Sequence, residues 1–156
     1  MRILFLCLGN ICRSPAAEAV TRHKAAVAGL DIEFDSAGTG TWHLGEPPYD
    51  PMIAAAEARG YDMRSLRARQ IQPADYDGFD VILAMDENNL RDALDGAPRE
   101  MRAQVQMFID GPEGPRDVPD PYFTRNFDGA LDLIEAGADQ LIADLLADEE
   151  EKRRGQ

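Results

Sequence analysis

At 156 residues, with 44% hydrophobic and 29% charged residues, the chain has the length and composition of one globular domain with a real core. Its formal net charge is -13, unevenly spread: residues 1–78 hold 8 Lys+Arg against 10 Asp+Glu, and residues 79–156 hold 8 against 19. So acidic a chain offers no basic face to a nucleic-acid backbone, and it lacks the run of about 20 apolar residues that spans a membrane. The 2 cysteines are too few for a secreted disulfide scaffold and point to a reducing cytoplasm. The apolar stretch behind Met1-Arg2 is too short for a secretion signal, and Asn10 and Arg13 interrupt it.

Residues 2–7 read as a buried strand, a continuous apolar run too short for a helix. A helix then runs from Pro15 to about Ala28, with Ser14 as its cap and Gly29 as its stop. Ile32 to Asp35 alternates as a second strand, and Asp50-Pro51 opens a helix that Gly60 ends. Asp80 to Met85 is a third strand, followed by a short helix from Asp86 to Leu94. Val105 to Ile109 reads as a fourth strand. The Pro/Gly clusters at 45–48 and 111–115 read as loops inside the domain. From Asn126 onward, Phe127, Leu131, Ile134, Ala138, Leu141 and Leu145 recur at helical spacing and mark a long terminal helix. Residues 1–150 form a single domain in this reading and 151–156 a charged tail, with the helix end fraying over Asp148 to Arg154. Strands alternating with helices predict an α/β fold, a mainly parallel four-stranded sheet covered on both faces, with ligands held beyond the carboxyl ends of the strands.

The chemistry concentrates at one such end. Cys7-Leu8-Gly9-Asn10-Ile11-Cys12-Arg13-Ser14-Pro15 joins the first strand to the first helix. Backbone N–H groups of Leu8 to Arg13, with those opening the helix, can turn toward an oxyanion such as phosphate. Gly9 is expected to supply an unusual backbone conformation, and Asn10 a left-handed one together with a tying side-chain amide. Arg13 can grip two phosphate oxygens at once. The same donors favour a thiolate at Cys7, and Ser14 can donate a hydrogen bond to it. His23 and His43, the only histidines, read as surface or packing residues, and neither sits in a compact set of metal ligands.

These residues resemble the signature of the low-molecular-weight protein tyrosine phosphatases. The resemblance continues through Ala17-Glu18-Ala19, Asp35-Ser36-Ala37-Gly38-Thr39, Arg67-Ala68-Arg69-Gln70, Met85-Asp86 and Asp120-Pro121-Tyr122, over nearly the whole chain. It implies a Rossmann-like three-layer fold and hydrolysis of phosphotyrosine and small aryl phosphates, without cofactor or metal, through a phosphocysteine. It assigns the nucleophile to Cys7, the phosphate clamp to Arg13 and the general acid and base to Asp120, with Asp117 as the rival acid. Trp42, Tyr122 and Phe123 would form aromatic walls for the substrate, Phe123 replacing the second of two adjacent tyrosines in some relatives. Cys7 and Cys12 would form a reversible protective disulfide. Leu66 stands where some relatives have a loop-supporting histidine, so the surroundings of Asn10 and Ser36 are expected to differ. Phosphotyrosine proteins, including a bacterial tyrosine kinase, are the implied partners of a monomer or a weak homodimer that hides Trp42 and Tyr122.

Three alternatives stay open. An arsenate reductase on this fold needs further resolving cysteines, and none follows Cys12. A protein-arginine phosphatase usually carries Thr where this chain has Ile11. A silent phosphotyrosine-binding module has no need to keep Cys7, Arg13 and Asp120 together.

Overall fold

The computed structural model describes residues 1–155. Its main sheet has four parallel strands in the order β2-β1-β3-β4: β1 (Arg2–Cys7), β2 (Glu33–Gly38), β3 (Val81–Ala84) and β4 (Gln104–Met107). β1 is central, and its side chains alternate between two cores. Ile3, Phe5 and Cys7 enter one core with α1 (Arg13–Val27), α2 (Asp50–Glu57) and α6 (Phe127–Arg154). Leu4 and Leu6 enter the other with Tyr76 of α3 (Asp75–Gly78) and Ala93 of α4 (Glu87–Asp95). This burial on both faces is why β1 reads as an unbroken apolar run.

Successive connections leave β1 in opposite directions, to β2 on one side and to β3 on the other. The crevice opened by that divergence lies at the end of β1, where Cys7 sits. Cys7 accepts a backbone hydrogen bond from Thr39 at 2.9 Å, and Met85 donates to Leu6 at 3.0 Å. The three strand ends are thereby stitched together around the first loop.

Several boundaries differ from expectation. The fourth strand stops at Met107. Ile109–Gly111 (β5) pairs instead with Gly114–Arg116 (β6) in an antiparallel hairpin, so the second Pro/Gly cluster is its turn, with Gly114 at φ 96°. α6 stays helical to Arg154, beyond the expected fraying. Its buried stripe runs through Ala130, Leu131, Ile134, Gly137, Ala138, Ile142 and Leu145, with Phe127 and Leu141 only partly covered. Gly137 has a steric reason: a Cβ there would come within 2.7 Å of the Phe108 ring. Ser14 does not cap α1. The helix begins at Arg13, and Cys12 precedes it without a side-chain cap. The short helices α3 and α5 (Pro121–Thr124) have no counterpart in the periodicity, because four residues are too few to show one.

Candidate active site

Cys7, Leu8, Gly9, Ile11, Cys12 and Arg13 line a cleft of about 350 Å³. Trp42, His43, Asp120, Tyr122 and Phe123 complete its wall, so residues more than a hundred positions apart in sequence meet there. Among the described residues no group of His, Cys, Asp and Glu is arranged to hold a metal ion.

The loop is shaped by Asn10. Its φ of 55° is left-handed, a conformation that costs most residues about 1–2 kcal/mol and that Asn tolerates. Gly9 is not left-handed, contrary to expectation. Its role is room, since a Cβ there would lie 3.1 Å from the His43 ring. The turn at Asn10 points its backbone N–H at Cys7 Sγ, 3.3 Å away.

Asn10 and Ser14, expected in the phosphate cradle, do not line the cleft. They stand behind it and set hydrogen-bond directions. The Arg69 N–H donates to Asn10 Oδ1 at 2.9 Å, which fixes the amide's orientation. Asn10 Nδ2 therefore donates to both Ser14 Oγ (2.8 Å) and Ser36 Oγ (3.0 Å). Each hydroxyl must then send its own proton elsewhere. Ser14 has two acceptors within reach, Cys7 Sγ at 2.9 Å and the Ala37 carbonyl at 3.3 Å. When the sulfur is anionic the shorter contact takes the proton, because a charged acceptor makes the stronger bond.

Arg13 is 2% exposed, yet it is charged and fully engaged on one side. Nη1 donates to Asp86 Oδ2 at 2.6 Å and to the Val118 carbonyl at 3.0 Å. Nη2 lies 3.4 Å from Asp120 Oδ2. Burial alone would loosen the guanidinium's proton, but the charge of Cys7, the bond to Asp86 and the charge of Asp120 outweigh it and raise its affinity above the ordinary value. With Nη1 occupied, the Nε/Nη2 edge is the one left to face an oxyanion in the cleft.

Asp86 has a part that the motif reading did not assign. Its Oδ1 accepts from Asn89 N at 2.7 Å and caps α4, while Oδ2 orients Arg13. The sequence signal was an acidic residue directly after a strand and before a helix, and that pattern also fits a simple cap.

Asp120 is anchored in the same manner. Oδ1 accepts from Tyr122 N at 3.1 Å at the start of α5, leaving Oδ2 toward the cleft. The rival Asp117 faces elsewhere, accepting from Glu87 N at 3.0 Å, and it does not line the cleft.

The rim is aromatic. Trp42 and Phe123 are about 70% exposed, at 70% and 71%, which removes core packing as the reason for Trp42. The Trp42 ring lies so close over Gly40 that a Cβ there would come within 2.2 Å of it. Tyr122 has three ring neighbours: Tyr49 at 5.2 Å, Phe123 at 5.3 Å edge-on, and His43 at 6.3 Å. His43, expected at the surface or in packing, is thus part of the cleft wall, with Nδ1 2.8 Å from Glu46 Oε2. His23 does pack, edge-on against Tyr61. Cys12 is buried and reduced. Burial, then the negative charges of Cys7 and Asp120, push its thiol up to about 12.

A sulfur at a strand end, a buried guanidinium beside it and a carboxylate on the facing loop define a cysteine-centred cleft. Comparison with known proteins gives that class a family. Residues 2–152 match the family described as low molecular weight phosphotyrosine protein phosphatase, and the chain belongs to it. It is 42% identical over 147 residues to the low molecular weight protein-tyrosine-phosphatase YfkJ of Bacillus subtilis, covering 92% of this chain and 94% of that one. The crystal structure of YfkJ superimposes with a TM-score of 0.88 at 40% identity, over 95% and 96% of the two chains. A protein tyrosine phosphatase of Entamoeba histolytica, with Hepes in its active site, gives 0.87 at 35% identity over 96% and 99%. Vibrio vulnificus Wzb, in complex with benzylphosphonate, gives 0.81 at 28% identity over 92% and 97%.

Proposed function

We propose that the chain is a protein-tyrosine phosphatase that hydrolyses phosphotyrosine through a phosphocysteine at Cys7. The observation that carries this reading is the meeting of Cys7, Arg13 and Asp120 in one aromatic-rimmed cleft. The benzylphosphonate bound by Wzb supports it, because that compound has the shape of an aryl phosphate but carries carbon in place of the ester oxygen and so resists hydrolysis.

The phosphoryl group enters with its oxygens toward the cleft-facing backbone N–H groups of the loop and the Nε/Nη2 edge of Arg13. The Cys7 thiolate, held by the Asn10 N–H and the Ser14 hydroxyl, attacks phosphorus. The phosphorus–oxygen bond to the aryl group breaks as the S–P bond forms. Tyrosine is a poor leaving group unless protonated, since its phenol titrates near about 10, and Asp120 Oδ2 supplies that proton. A water then attacks the phosphocysteine and gives its proton to the same carboxylate. The S–P bond breaks, inorganic phosphate leaves and the thiolate is restored. Trp42, Tyr122 and Phe123 hold the phenyl ring by stacking and burial.

Parallel assays with p-nitrophenyl phosphate, a phosphotyrosine peptide and a phosphoarginine peptide test the reading. Turnover of the first two is expected. Turnover of the phosphoarginine peptide alone would move the protein to the arginine branch, and binding without turnover would make it a binding module. A Cys7–Cys12 switch is a second reading, favoured because both thiols line the same cleft. Peroxide would oxidise the pair to a disulfide, with two waters as the by-product, and a thiol would reverse it. Peroxide treatment and thiol mapping test that; loss of activity that dithiothreitol cannot restore counts against it.

A further inference from the structure

Glu18 lies outside the cleft, on the buried face of α1, and is only 2% exposed. A buried carboxylate is costly unless donors surround it. Here both oxygens are taken. Ser36 Oγ donates to Oε1 at 2.7 Å, and Arg22, one turn further along α1, pairs with Oε2. Arg22 Nη2 also donates to the Phe34 carbonyl at 2.9 Å, so it is tied to β2 as well as to α1.

Ser36 joins this pair to the catalytic loop. Its hydroxyl receives a hydrogen bond from Asn10, so its single proton is free to go to Glu18. The directions are then determined along the whole line. Arg69 N–H fixes the Asn10 amide, Asn10 donates to Ser36 and to Ser14, Ser36 discharges into Glu18, and Ser14 donates to Cys7 when the sulfur is anionic, with the Ala37 carbonyl as its other acceptor. Without an acceptor at Glu18, the Ser36 proton has no partner and its best relief is to turn on Asn10. Asn10 is the residue held at φ 55°, and it contributes an N–H to the sulfur.

We propose that Glu18, ionised and held by Arg22, is a positioning residue for the phosphate loop, acting through Ser36 and Asn10 to keep the Ser14 and Asn10 donors aimed at Cys7. This role rests on the phosphatase reading above for its kinetic consequences, but not for its effect on Cys7 reactivity. The charges around Glu18 are few. Arg22 on α1 favours the carboxylate, and Asp35 on β2 opposes it while itself paired with Arg69 at 3.1 Å. Burial is the largest influence and raises Glu18 above the ordinary 4.5. A proton on either oxygen would nevertheless displace a donor already in place, so the ionised form is the one the hydrogen-bond directions require.

The test compares Glu18→Ala, Glu18→Gln and Ser36→Ala with the unaltered chain. Two readouts are taken: the pH dependence of Cys7 alkylation by iodoacetate, and kcat/KM on p-nitrophenyl phosphate. Glu18→Ala removes the acceptor of the Ser36 proton and should lower kcat/KM by roughly tenfold. Its alkylation profile should move to higher pH. Gln keeps one acceptor for Ser36 but loses the attraction to Arg22, so it should fall between. Ser36→Ala combined with Glu18→Ala should cost no more than the worse single change, because both break one line. Arg22→Gln keeps the idea testable if Glu18→Ala does not fold, since the Arg22 side chain is 52% exposed. It should shift the alkylation profile in the same direction by a smaller amount. Reduced thermal stability with unchanged alkylation profiles and kcat/KM within about twofold would overturn the proposal and leave Glu18 a purely structural residue. If the unaltered chain turns over no aryl phosphate, the functional reading fails while the alkylation comparison still decides the role of Glu18.

Discussion

The Cys7–Arg13 loop and the aromatic rim share one cleft but are held in opposite ways. The loop is buried, local in sequence and fixed by hydrogen bonds at nearly every residue. Asn10 alone takes part in four, to Cys7, Ser14, Ser36 and Arg69. The rim is assembled from residues 42–43 and 120–123, is largely exposed at Trp42 and Phe123, and is held by ring packing. A pocket for a tetrahedral anion gains from rigidity, because its donors must sit at fixed points before the charge arrives. A wall for a flat ring gains from area and tolerates small displacements. The difference implies that loop changes should damage every substrate alike, whereas rim changes should sort substrates by their leaving group.

The largest effect tests the loop. Cys7→Ser should abolish turnover of all phosphomonoesters while still binding phosphate or vanadate, as measured by steady-state assay and calorimetry. Appreciable residual kcat would take the nucleophile away from Cys7. Asp120→Ala should be the most selective change. General-acid catalysis contributes about 10²–10⁴-fold, so kcat/KM for phenyl phosphate should fall far more than kcat/KM for p-nitrophenyl phosphate, whose leaving group needs little help. An equal loss across a leaving-group series would remove Asp120 from that role.

Asp86→Asn sharpens the boundary between the two regions, because Asp86 is outside the loop yet orients Arg13. Losing a charged hydrogen bond to a buried guanidinium should cost about tenfold in kcat/KM and weaken inhibition by phosphate in parallel. Trp42→Ala should raise KM for a phosphotyrosine peptide about threefold to tenfold, the scale of one aromatic contact, and leave phosphate inhibition unchanged. A matching loss of phosphate binding would mean that the rim helps to hold the loop.

Stability gives the smallest effect. Burial raises the affinity of Glu18 for its proton in the folded state. The pH-dependent part of its contribution to stability is therefore complete below the ordinary 4.5 and is lost as pH rises through the raised folded value, leaving the bonds of the ionised form to Ser36 and Arg22. Glu18→Gln has no proton to lose there, so its Tm should change less with pH over that window. Parallel Tm curves would show that Glu18 does not titrate in it.

The loop was legible in the sequence because its chemistry is local. A sulfur, an arginine and a left-handed Asn within seven positions constrain one another through short-range geometry. The same locality misled in two places. Gly9 looked like the special backbone position, yet it is there to admit the His43 ring. Ser14 looked like a helix cap as well as a donor to the sulfur, and only the second reading holds. The sheet was readable from β1 and β3, whose apolar runs reflect burial on both faces. The β5–β6 hairpin was not, because its strands are three residues each and its turn has a loop's composition. His43 escaped, and Asp86 and Glu18 were named only within matching motifs with no role, because each acts through a partner distant in the chain. One residue type with no local pattern cannot announce such a contact.

The most direct test of the account is rapid quenching of Asp120→Ala with p-nitrophenyl phosphate, followed by peptide mass spectrometry. That variant should still form the adduct from a good leaving group while lacking the carboxylate proposed to activate the hydrolytic water. The account predicts a phosphoryl group on Cys7 and on no other residue, appearing with the first equivalent of p-nitrophenolate. Steady release of phosphate with Cys7 never modified, or a phosphoryl group on another residue, would contradict it.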